Sequence, residues 1–313
     1  MRAVFCAVVC LSGCYAPAYE DCQISCAGNV CPSGLSCVAG MCRSGGASGV
    51  CGQGNRDGGV DAVVRDGSPS DVDGDGIPNT SDNCPTKSNA NQADEDNDTL
   101  GDVCDPCPWS GTTADNHDSD GDGVGDGCDP RPNVVGDRIV LFEGFAGGVL
   151  PPGAMAVGPW MFSGGTASTV SGPQSTLVWP IPITSAETVF AHGTLDQVTN
   201  GKGDVEVLDA FEVANARGIG CSIGWPSGAV QPLMFLLDTG PNVVLSSMQM
   251  TAPLGIQTTF RIDRTAMGFQ CKTIPQPNTV IVANGPMAAS PNAGFRVRTA
   301  TAHFDWIAVV TSQ

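Results

Sequence analysis

Residues 71–82 read Asp71-Val-Asp-Gly-Asp-Gly-Ile-Pro-Asn-Thr-Ser-Asp82, and this stretch introduces a pattern that returns twice. Aspartates stand at positions 1, 3, 5 and 12 of a twelve-residue loop. The same offsets recur in residues 94–105 and 118–129. Three loops with one set of offsets indicate three sites built for the same kind of ion.

Carboxylates at this spacing suit calcium, which takes six to eight hard oxygen ligands in a flexible geometry. Position 7 is apolar in each loop, so only its backbone carbonyl could serve as a ligand. Position 6, where a sharp turn needs backbone freedom, is glycine in the first and third loops. It is Thr99 in the second loop, and a β-branched residue does not favour such a turn.

The acidic segment has two other interpretations. Sixteen acidic residues against Lys87 could form a solvated, disordered linker, but such a linker needs no twelve-residue register and no cysteines. An EF-hand prefers Glu at position 12 and flanking helices. These loops end in Asp, and Pro78, Gly101 and Gly125 at position 8 are poor entries to a helix.

The combined Asp, Cys-Pro and Gly-Asp-x-Cys-Asp pattern of residues 71–130 resembles thrombospondin type 3 repeats. The resemblance implies calcium ions along a chain with little regular secondary structure, held by disulfides. It implies these ligands, loop by loop: Asp71, Asp73, Asp75, the Ile77 carbonyl and Asp82; Asp94, Asp96, Asp98, the Leu100 carbonyl and Asp105; Asp118, Asp120, Asp122, the Val124 carbonyl and Asp129. Sequential disulfides, Cys84 with Cys104 and Cys107 with Cys128, would close short loops and contribute about 2–4 kcal/mol each.

The N-terminus predicts export. Residues 1–13 combine Arg2 with a short apolar run, as in a signal peptide. Leu11-Ser-Gly-Cys14 resembles a bacterial lipobox, which implies cleavage before Cys14 and a lipid anchor on it. An ordinary secretory signal cut nearby is the alternative. Tyr15 follows in place of the Asp that marks inner-membrane retention in some bacteria, which favours the outer membrane or cell surface.

The cysteines support an oxidising compartment. Of 15 cysteines, two leave with the signal and Cys14 takes the lipid, so 15 − 3 = 12 remain. Even groups suggest disulfides: six fall in residues 22–51, four in the acidic segment, and Cys221 and Cys271 near the C-terminus. Zinc at Cys104-x-x-Cys107 is a rival interpretation that the neighbouring hard oxygen ligands disfavour.

Composition divides the chain into five parts. The predicted order is a signal peptide (1–13), a cysteine-rich module (14–52), a flexible linker (53–70), calcium repeats (71–130) and a β-sandwich (135–313). The fold class is thus mainly β: a disulfide-rich knob, an irregular calcium-bound segment and a sandwich of the jelly-roll type. We expect metal and disulfides, not a hydrophobic core, to order the repeats.

The C-terminal part consists of short apolar runs separated by Gly, Pro, Ser and Thr, and no long stretch has helical periodicity. Strands are predicted around residues 138–142, 188–192, 233–237, 258–262 and 302–310, in a sandwich of about a dozen strands. The ending GFRVRTAT-AHFDWIAVV is similar to the closing strands of concanavalin-A-like and laminin-G-like domains. The last strand is expected to be buried on both faces.

Residues for catalysis are few. The chain has three separated histidines and no nucleophile elbow, zinc-protease motif or phosphate loop. Glu206, Asp209 and Glu212 could suggest a sandwich glycosidase, which needs two carboxyls converging on one bond. Offsets of three and six place Asp209 on the opposite strand face from Glu206 and Glu212, so surface carboxylates are the preferred interpretation.

The sequence therefore predicts a calcium-binding, lipid-anchored surface protein in which the repeats act as a rigid spacer and the sandwich binds a glycan or a surface protein. A glycan-cleaving enzyme and a purely structural envelope protein are the alternatives. The net charge of −18 argues against a nucleic-acid partner. Four tryptophans could stack on sugars but are more often core residues: Trp160, Trp179, Trp225 and Trp306.

Overall fold

The chain divides into two compact units, Met1–Val64 and Arg65–Gln313. The computed structural model describes residues 35–38, 41–44, 70–170, 172–182, 186–251, 253–266, 268–274, 280–283 and 292–312. In the first unit, the described residues form an antiparallel hairpin of β1 (Leu35–Val38) and β2 (Met41–Ser44). The predictions for the signal peptide, for Cys14 and for most of the cysteine-rich module lie outside the described residues.

Strands dominate the second unit from residue 137 onward. Their bounds are β3 (Asp137–Glu143), β4 (Met155–Val157), β5 (Trp160–Ser163), β6 (Thr166–Thr169), β7 (Gln174–Pro180), β8 (Ala186–Val198), β9 (Gly203–Glu212), β10 (Arg217–Trp225), β11 (Leu233–Asp238), β12 (Val243–Gln249), β13 (Gln257–Thr265), β14 (Gly268–Ile274), β15 (Val280–Ala283), β16 (Asn292–Arg298) and β17 (Ala300–Ser312). All five predicted runs lie in strands. The described residues contain no helix, and so none that could cross a membrane.

Two antiparallel sheets confirm the predicted sandwich. The seven-stranded sheet has the order β12-β11-β10-β9-β16-β7-β4, and the eight-stranded sheet has the order β15-β14-β13-β8-β17-β6-β5. Strand β3 also pairs with β17 of the eight-stranded sheet, although it is not part of that linear order. The chain enters the sandwich through β3. The acidic segment that precedes β3 is therefore connected directly to the eight-stranded sheet.

The interior lies between the two sheets. Fully buried aromatic rings fill it, and those of Phe295 and Phe304 stack with centroids 3.8 Å apart. The disulfide between Cys221 on β10 and Cys271 on β14 joins the two sheets through this core. Strand β13 shows the expected alternation of buried and partly exposed residues. Such alternation is typical of a sheet with one face on the core.

Strand β17 departs from that alternation in its second half, where residues 306–312 are all buried. The cover on its outer face is the acidic segment. Trp109 packs against Trp306, Phe190 and Phe142, with ring centroids 5.2–6.0 Å apart. Val124 and the disulfide Cys107–Cys128 join the same cluster.

This packing differs from the free-standing spacer that the sequence led us to expect. We expected the segment to bury almost no apolar side chains. Trp109 and Val124 do contribute to a core, and that core is shared with the outer face of the eight-stranded sheet. The repeat segment and the sandwich therefore lie in one compact unit.

The shared core predicts the effect of Trp109→Ala. Truncating a large, well-packed aromatic side chain costs about 3 kcal/mol. We expect a loss of that order in the free energy of unfolding. Amide hydrogen exchange should rise mainly in residues 104–129, because those amides lose their cover.

Val103→Ala is the matched control, since Val103 is an exposed apolar residue of the same segment. Its stability should stay within about 0.5 kcal/mol of the parent. Equal losses from the two substitutions would contradict the packing role of Trp109.

Candidate calcium sites

The three aspartate loops share one set of internal hydrogen bonds. In each, the position-6 N–H donates to the position-1 carboxylate, over 2.9–3.2 Å. The position-5 N–H donates to the position-3 carboxylate, over 3.1–3.3 Å. The position-7 N–H donates to the position-5 carboxylate, over 2.8–3.1 Å. In each loop, backbone N–H groups thus fix an oxygen of the aspartates at positions 1, 3 and 5. The three loops share this geometry.

The tight turn of each loop needs two residues with left-handed backbone. Positions 4 and 6 supply them, with φ between +62° and +97°, in the following residues: Gly74, Gly76, Asn97, Thr99, Gly121 and Gly123. Thr99, at φ +86°, adopts the conformation of its glycine counterparts despite a β-branched side chain. Such a residue at positive φ carries strain.

The carboxylates at positions 1, 3 and 5 converge in all three loops. Within each triad, one oxygen from every residue lies within 4.8 Å of the others. Several carboxylate oxygens of the loops are buried and accept no hydrogen bond within the described part of the chain: Asp73 Oδ2, Asp82 Oδ2, Asp94 Oδ1, Asp96 Oδ2, Asp105 Oδ2 and Asp120 Oδ2. Buried carboxylate oxygens without donors are costly unless a cation neutralises them. The donor set, all hard oxygen, fits calcium.

Position 12 also has a shared arrangement. In each loop, one oxygen of this aspartate accepts an N–H from two residues further on, over 2.6–2.8 Å. The second oxygen of Asp82 and of Asp105 is among the buried atoms without a donor. Among the described residues, the groups within 4.8 Å contain neither Asp82 nor Asp105. The carboxylates of Asp82 and Asp105 therefore end their loops without joining the triads.

The third loop reaches the sandwich. Asp122 and Asp129 form a group within 4.8 Å with Asp137, the first residue of β3. Asp122 accepts the backbone N–H of Asp137 over 2.6 Å. The Arg131 guanidinium pairs with Asp137 at 2.9 Å, and the Ser312 hydroxyl donates to the same carboxylate. Asp137 was not predicted from the sequence, because it lies outside the twelve-residue register and its partners come from the third loop region and from the last strand.

The electrostatics of the loops are those of clustered carboxylates. Partial burial raises the pKa of the position-3 carboxyl in each loop, and the carboxylates at positions 5 and 1 raise it further. Burial raises the pKa of Asp105 to about 6, with contributions from Asp98 and Asp96. The N–H of Gly123 lowers the pKa of Asp118. Charged carboxylates are thus held together against their mutual repulsion.

Two disulfides cross this segment, and they join the cysteines in the expected sequential order. Cys84 pairs with Cys104 and Cys107 with Cys128, at sequence separations of 20 and 21. Each bridge links the end of one loop to the end of the next, so adjacent loops are fixed to one another.

The structure does not bring together the two carboxyl groups, Glu206 and Glu212, that a glycosidase would need. Glu206 is fully buried on β9, where Arg296 and Arg298 approach it at 2.6 and 2.9 Å. Asp209 points to the other face, as its offset predicts, and pairs there with Arg264 at 3.2 Å. Glu212 is exposed beyond a bulge at Ala210, where φ is +49°. Glu206 and Glu212 therefore do not face a common bond, and Glu206 is not the surface carboxylate that we expected.

The four tryptophans that could stack on sugars mostly pack against other side chains of the protein. Trp179 and Trp306 are buried. Trp160 and Trp225 are half-buried against the core, and the Trp160 indole N–H donates to the Thr176 carbonyl. The fifth, Trp109, is the one that sequence reasoning passed over. A large aromatic directly after Cys107-Pro in an otherwise polar segment was the available signal.

Residues 66–92 match the family model of the thrombospondin type 3 repeat. The chain carries a thrombospondin type 3 repeat. The match includes the first aspartate loop, and the second and third loops reproduce that loop's hydrogen bonds. No curated protein matches the chain.

Solved structures resemble the sandwich. The CBM2 module of the evolved Dit protein of Lactobacillus casei BL23 phage J-1 is 9% identical, with a TM-score of 0.45, and the match covers 56% of this chain and 96% of that one. Carbohydrate-binding module CBM66 from Bacillus subtilis is 14% identical, with a TM-score of 0.40 and coverages of 49% and 92%. The VIP36 exoplasmic/lumenal domain in its Ca2+/Man2-bound form is 9% identical, with a TM-score of 0.40 and coverages of 50% and 80%. At such low identity these likenesses assign no ligand to this chain.

The strain at position 6 of the second loop predicts that Thr99→Gly is stabilising. Glycine adopts φ +86° without steric cost, so we expect a gain of about 1 kcal/mol in the free energy of unfolding. Chemical denaturation measures it. The reverse change at the matching position of the first loop, Gly76→Thr, should cost a similar amount. A neutral or destabilising Thr99→Gly would show that the turn is not strained.

The ion-paired state of Glu206 predicts a stability defect for Glu206→Gln. The change removes the buried counter-charge of Arg296 and one of the two carboxylates that Arg298 contacts, the other being Asp204, which should lower the free energy of unfolding by about 3 kcal/mol. Glu212→Gln is the exposed control and should change it by less than about 0.5 kcal/mol. If Glu206→Gln kept full stability but lost a measurable glycanase activity, the glycosidase interpretation would be restored.

Proposed function

We propose that this protein is an exported, calcium-stabilised binding module of the bacterial cell surface. Calcium orders the three aspartate loops and keeps the repeat segment packed on the sandwich, which displays a ligand-binding surface. The observation that carries the proposal is the set of buried carboxylate oxygens without donors, repeated in loops of one geometry. A folded chain tolerates such oxygens when a cation is their partner.

The proposed calcium ligands are the carboxylates at positions 1, 3, 5 and 12 and the carbonyl at position 7 of each loop. Calcium bound there supplies positive charge that offsets the repulsion within each triad. In the third loop, Asp137 adds a carboxylate from the sandwich. Because that residue begins β3, an ion in the third loop links the repeat segment directly to the eight-stranded sheet.

Export and anchoring form the finer part of the proposal. Disulfides in the repeats and in the sandwich support an oxidising compartment. The lipobox-like Leu11-Ser-Gly-Cys14 supports a lipid anchor on Cys14 and a place in the outer membrane or at the cell surface. On this proposal, the sandwich meets glycans or proteins outside the cell, and adhesion is the resulting role.

A calcium titration of the full chain carrying Cys14→Ser tests the proposal. We expect saturable binding of several ions at about 10⁻⁴–10⁻³ M, as in other extracellular modules. Chelation should lower the thermal midpoint and raise amide exchange around Trp109. Lowering the pH from 7 to 5 should weaken binding, because Asp105, with its pKa raised to about 6, then holds a proton that calcium must displace.

Position 3 offers three matched variants, Asp73→Asn, Asp96→Asn and Asp120→Asn, since each removes charge beside an oxygen without a donor. Each should reduce the number of bound ions or weaken one class of site at least tenfold. Asp196→Asn, which removes a sandwich carboxylate paired with His303, is the control and should bind calcium like the parent. A chain that binds no calcium and has the same stability in chelator would sink the proposal.

A further inference from the structure

A cavity of about 400 Å3 opens where the repeat segment meets the outer face of the eight-stranded sheet. Its volume falls in the range of about 300–1,000 Å3 that is usual for small-molecule sites. The side chains that matter for its chemistry are Trp109, Phe190, Thr259, Arg261, Lys272 and Ile274. None of them is a predicted calcium ligand, so the cavity is a feature separate from the aspartate triads.

One part of the cavity is aromatic and apolar. The aromatic surface of the cavity is that of the half-buried Trp109, whose ring lies 5.2 Å from the buried ring of Phe190. Ile274 is 53% exposed, so the apolar surface extends towards solvent. The indole N–H of Trp109 has no acceptor within the described part of the chain, although a half-buried indole usually finds one. This surface can therefore receive a ring with an apolar face and a hydrogen-bond acceptor.

The other part of the cavity is cationic. The strand register places Arg261 directly between Phe190 on β8 and Lys272 on β14. Arg261 Nε binds Asp263 Oδ1 at 2.7 Å, and Lys272 Nζ lies 3.5 Å from Asp263 Oδ2. The two cations share one carboxylate, so the group carries one net positive charge. Like charges directly opposite each other across strands repel; Asp263 offsets one of them, and a bound anion would offset the other.

Arg261 is well placed to receive such an anion. Its guanidinium carbon lies 5.1 Å from the centre of the Phe190 ring, so the group lies over that ring and leaves Trp109 to the ligand. Only Nε is paired among the described residues, so the two terminal nitrogens can donate to a ligand. A guanidinium binds a carboxylate through parallel hydrogen bonds. The chain as a whole has a net charge of −18, so a cationic cavity selects for an anionic ligand at this place on the protein.

We propose that the cavity binds a carboxylated pyranose, the hexuronate unit of an acidic polysaccharide. The ligand carboxylate pairs with Arg261 and Lys272, and the C–H face of the sugar ring lies on the aromatic surface. A bare inorganic anion would pair with the cations but leave the aromatic surface in water. A neutral sugar would fill the aromatic part and leave the one net positive charge without a counter-ion.

This inference names the ligand class for the binding role proposed above, and it rests on that proposal because Trp109 reaches the cavity from the repeat segment. Calcium should therefore favour sugar binding without contacting the sugar.

Calorimetry with the full Cys14→Ser chain in excess calcium tests the proposal. The probe is a tetrasaccharide containing glucuronate, compared with its carboxyl-reduced counterpart, in which glucose replaces glucuronate, and with sodium sulfate. We expect saturable binding of the acidic sugar, binding of the neutral sugar at least tenfold weaker, and no more than weak binding of sulfate. Equal binding of the two sugars, or binding of sulfate as tight as that of the acidic sugar, would overturn the hexuronate assignment.

Arg261→Gln and Lys272→Gln should each lower the affinity for the acidic sugar about tenfold, the effect of losing a charge-assisted hydrogen bond. Lys202→Gln, at an exposed lysine in the turn between β8 and β9, should bind like the parent. Lys272 is partly exposed, so its variant should fold even if Arg261→Gln does not. All variants should retain the parent's calcium stoichiometry. If acidic sugar binding is absent while calcium binding is normal, the cavity proposal fails and the calcium proposal stands.

Discussion

Repulsion among carboxylates is the constraint on which the structure of the repeat segment depends. Sixteen acidic residues lie between residues 71 and 129, and three triads bring their oxygens within 4.8 Å. Two unit charges about 4 Å apart repel by roughly 1 kcal/mol in water and about 4 kcal/mol near a protein surface. Backbone N–H groups satisfy at least one oxygen of each triad aspartate, and the left-handed residues at positions 4 and 6 make that possible. The buried triad oxygens that accept no hydrogen bond, those of Asp73, Asp94, Asp96 and Asp120, are costly without a cation.

The sandwich provides a second support for the same segment. Its eight-stranded sheet presents apolar residues on both faces along the second half of β17. One face belongs to the core between the sheets, and Trp109, Val124 and the Cys107–Cys128 disulfide cover the other. The carboxylate group of the third loop and the burial of apolar area thus lie on one short stretch of chain. Asp137 connects the two effects, because it is both the first residue of β3 and a neighbour of Asp122 and Asp129.

The sequence predicted the local features well. The loop register, the sequential disulfides and the positions of five strands all follow from spacings within a few dozen residues. It did not predict the packing of Trp109, the contribution of Asp137 or the ion-paired state of Glu206. Composition suggested that the repeats had nothing to bury, since one tryptophan among many aspartates barely changes an average. Thr99 was doubtful on propensity, and the hydrogen bonds of its loop overrode that preference.

By itself, the sequence determined the chemistry of the aspartate loops and the class of the C-terminal fold. Both depend on short repeating patterns: oxygen ligands at fixed offsets, and apolar residues with the period of a strand. Only the tertiary structure decided where the repeats lie and which cations face the resulting cavity. Trp109 meets Phe190 and Trp306, and Arg261 joins them from a third strand, across separations of 71 residues or more. Contacts at such distances leave no periodic trace in the chain, because they depend on how the sheets are ordered and not on local spacing.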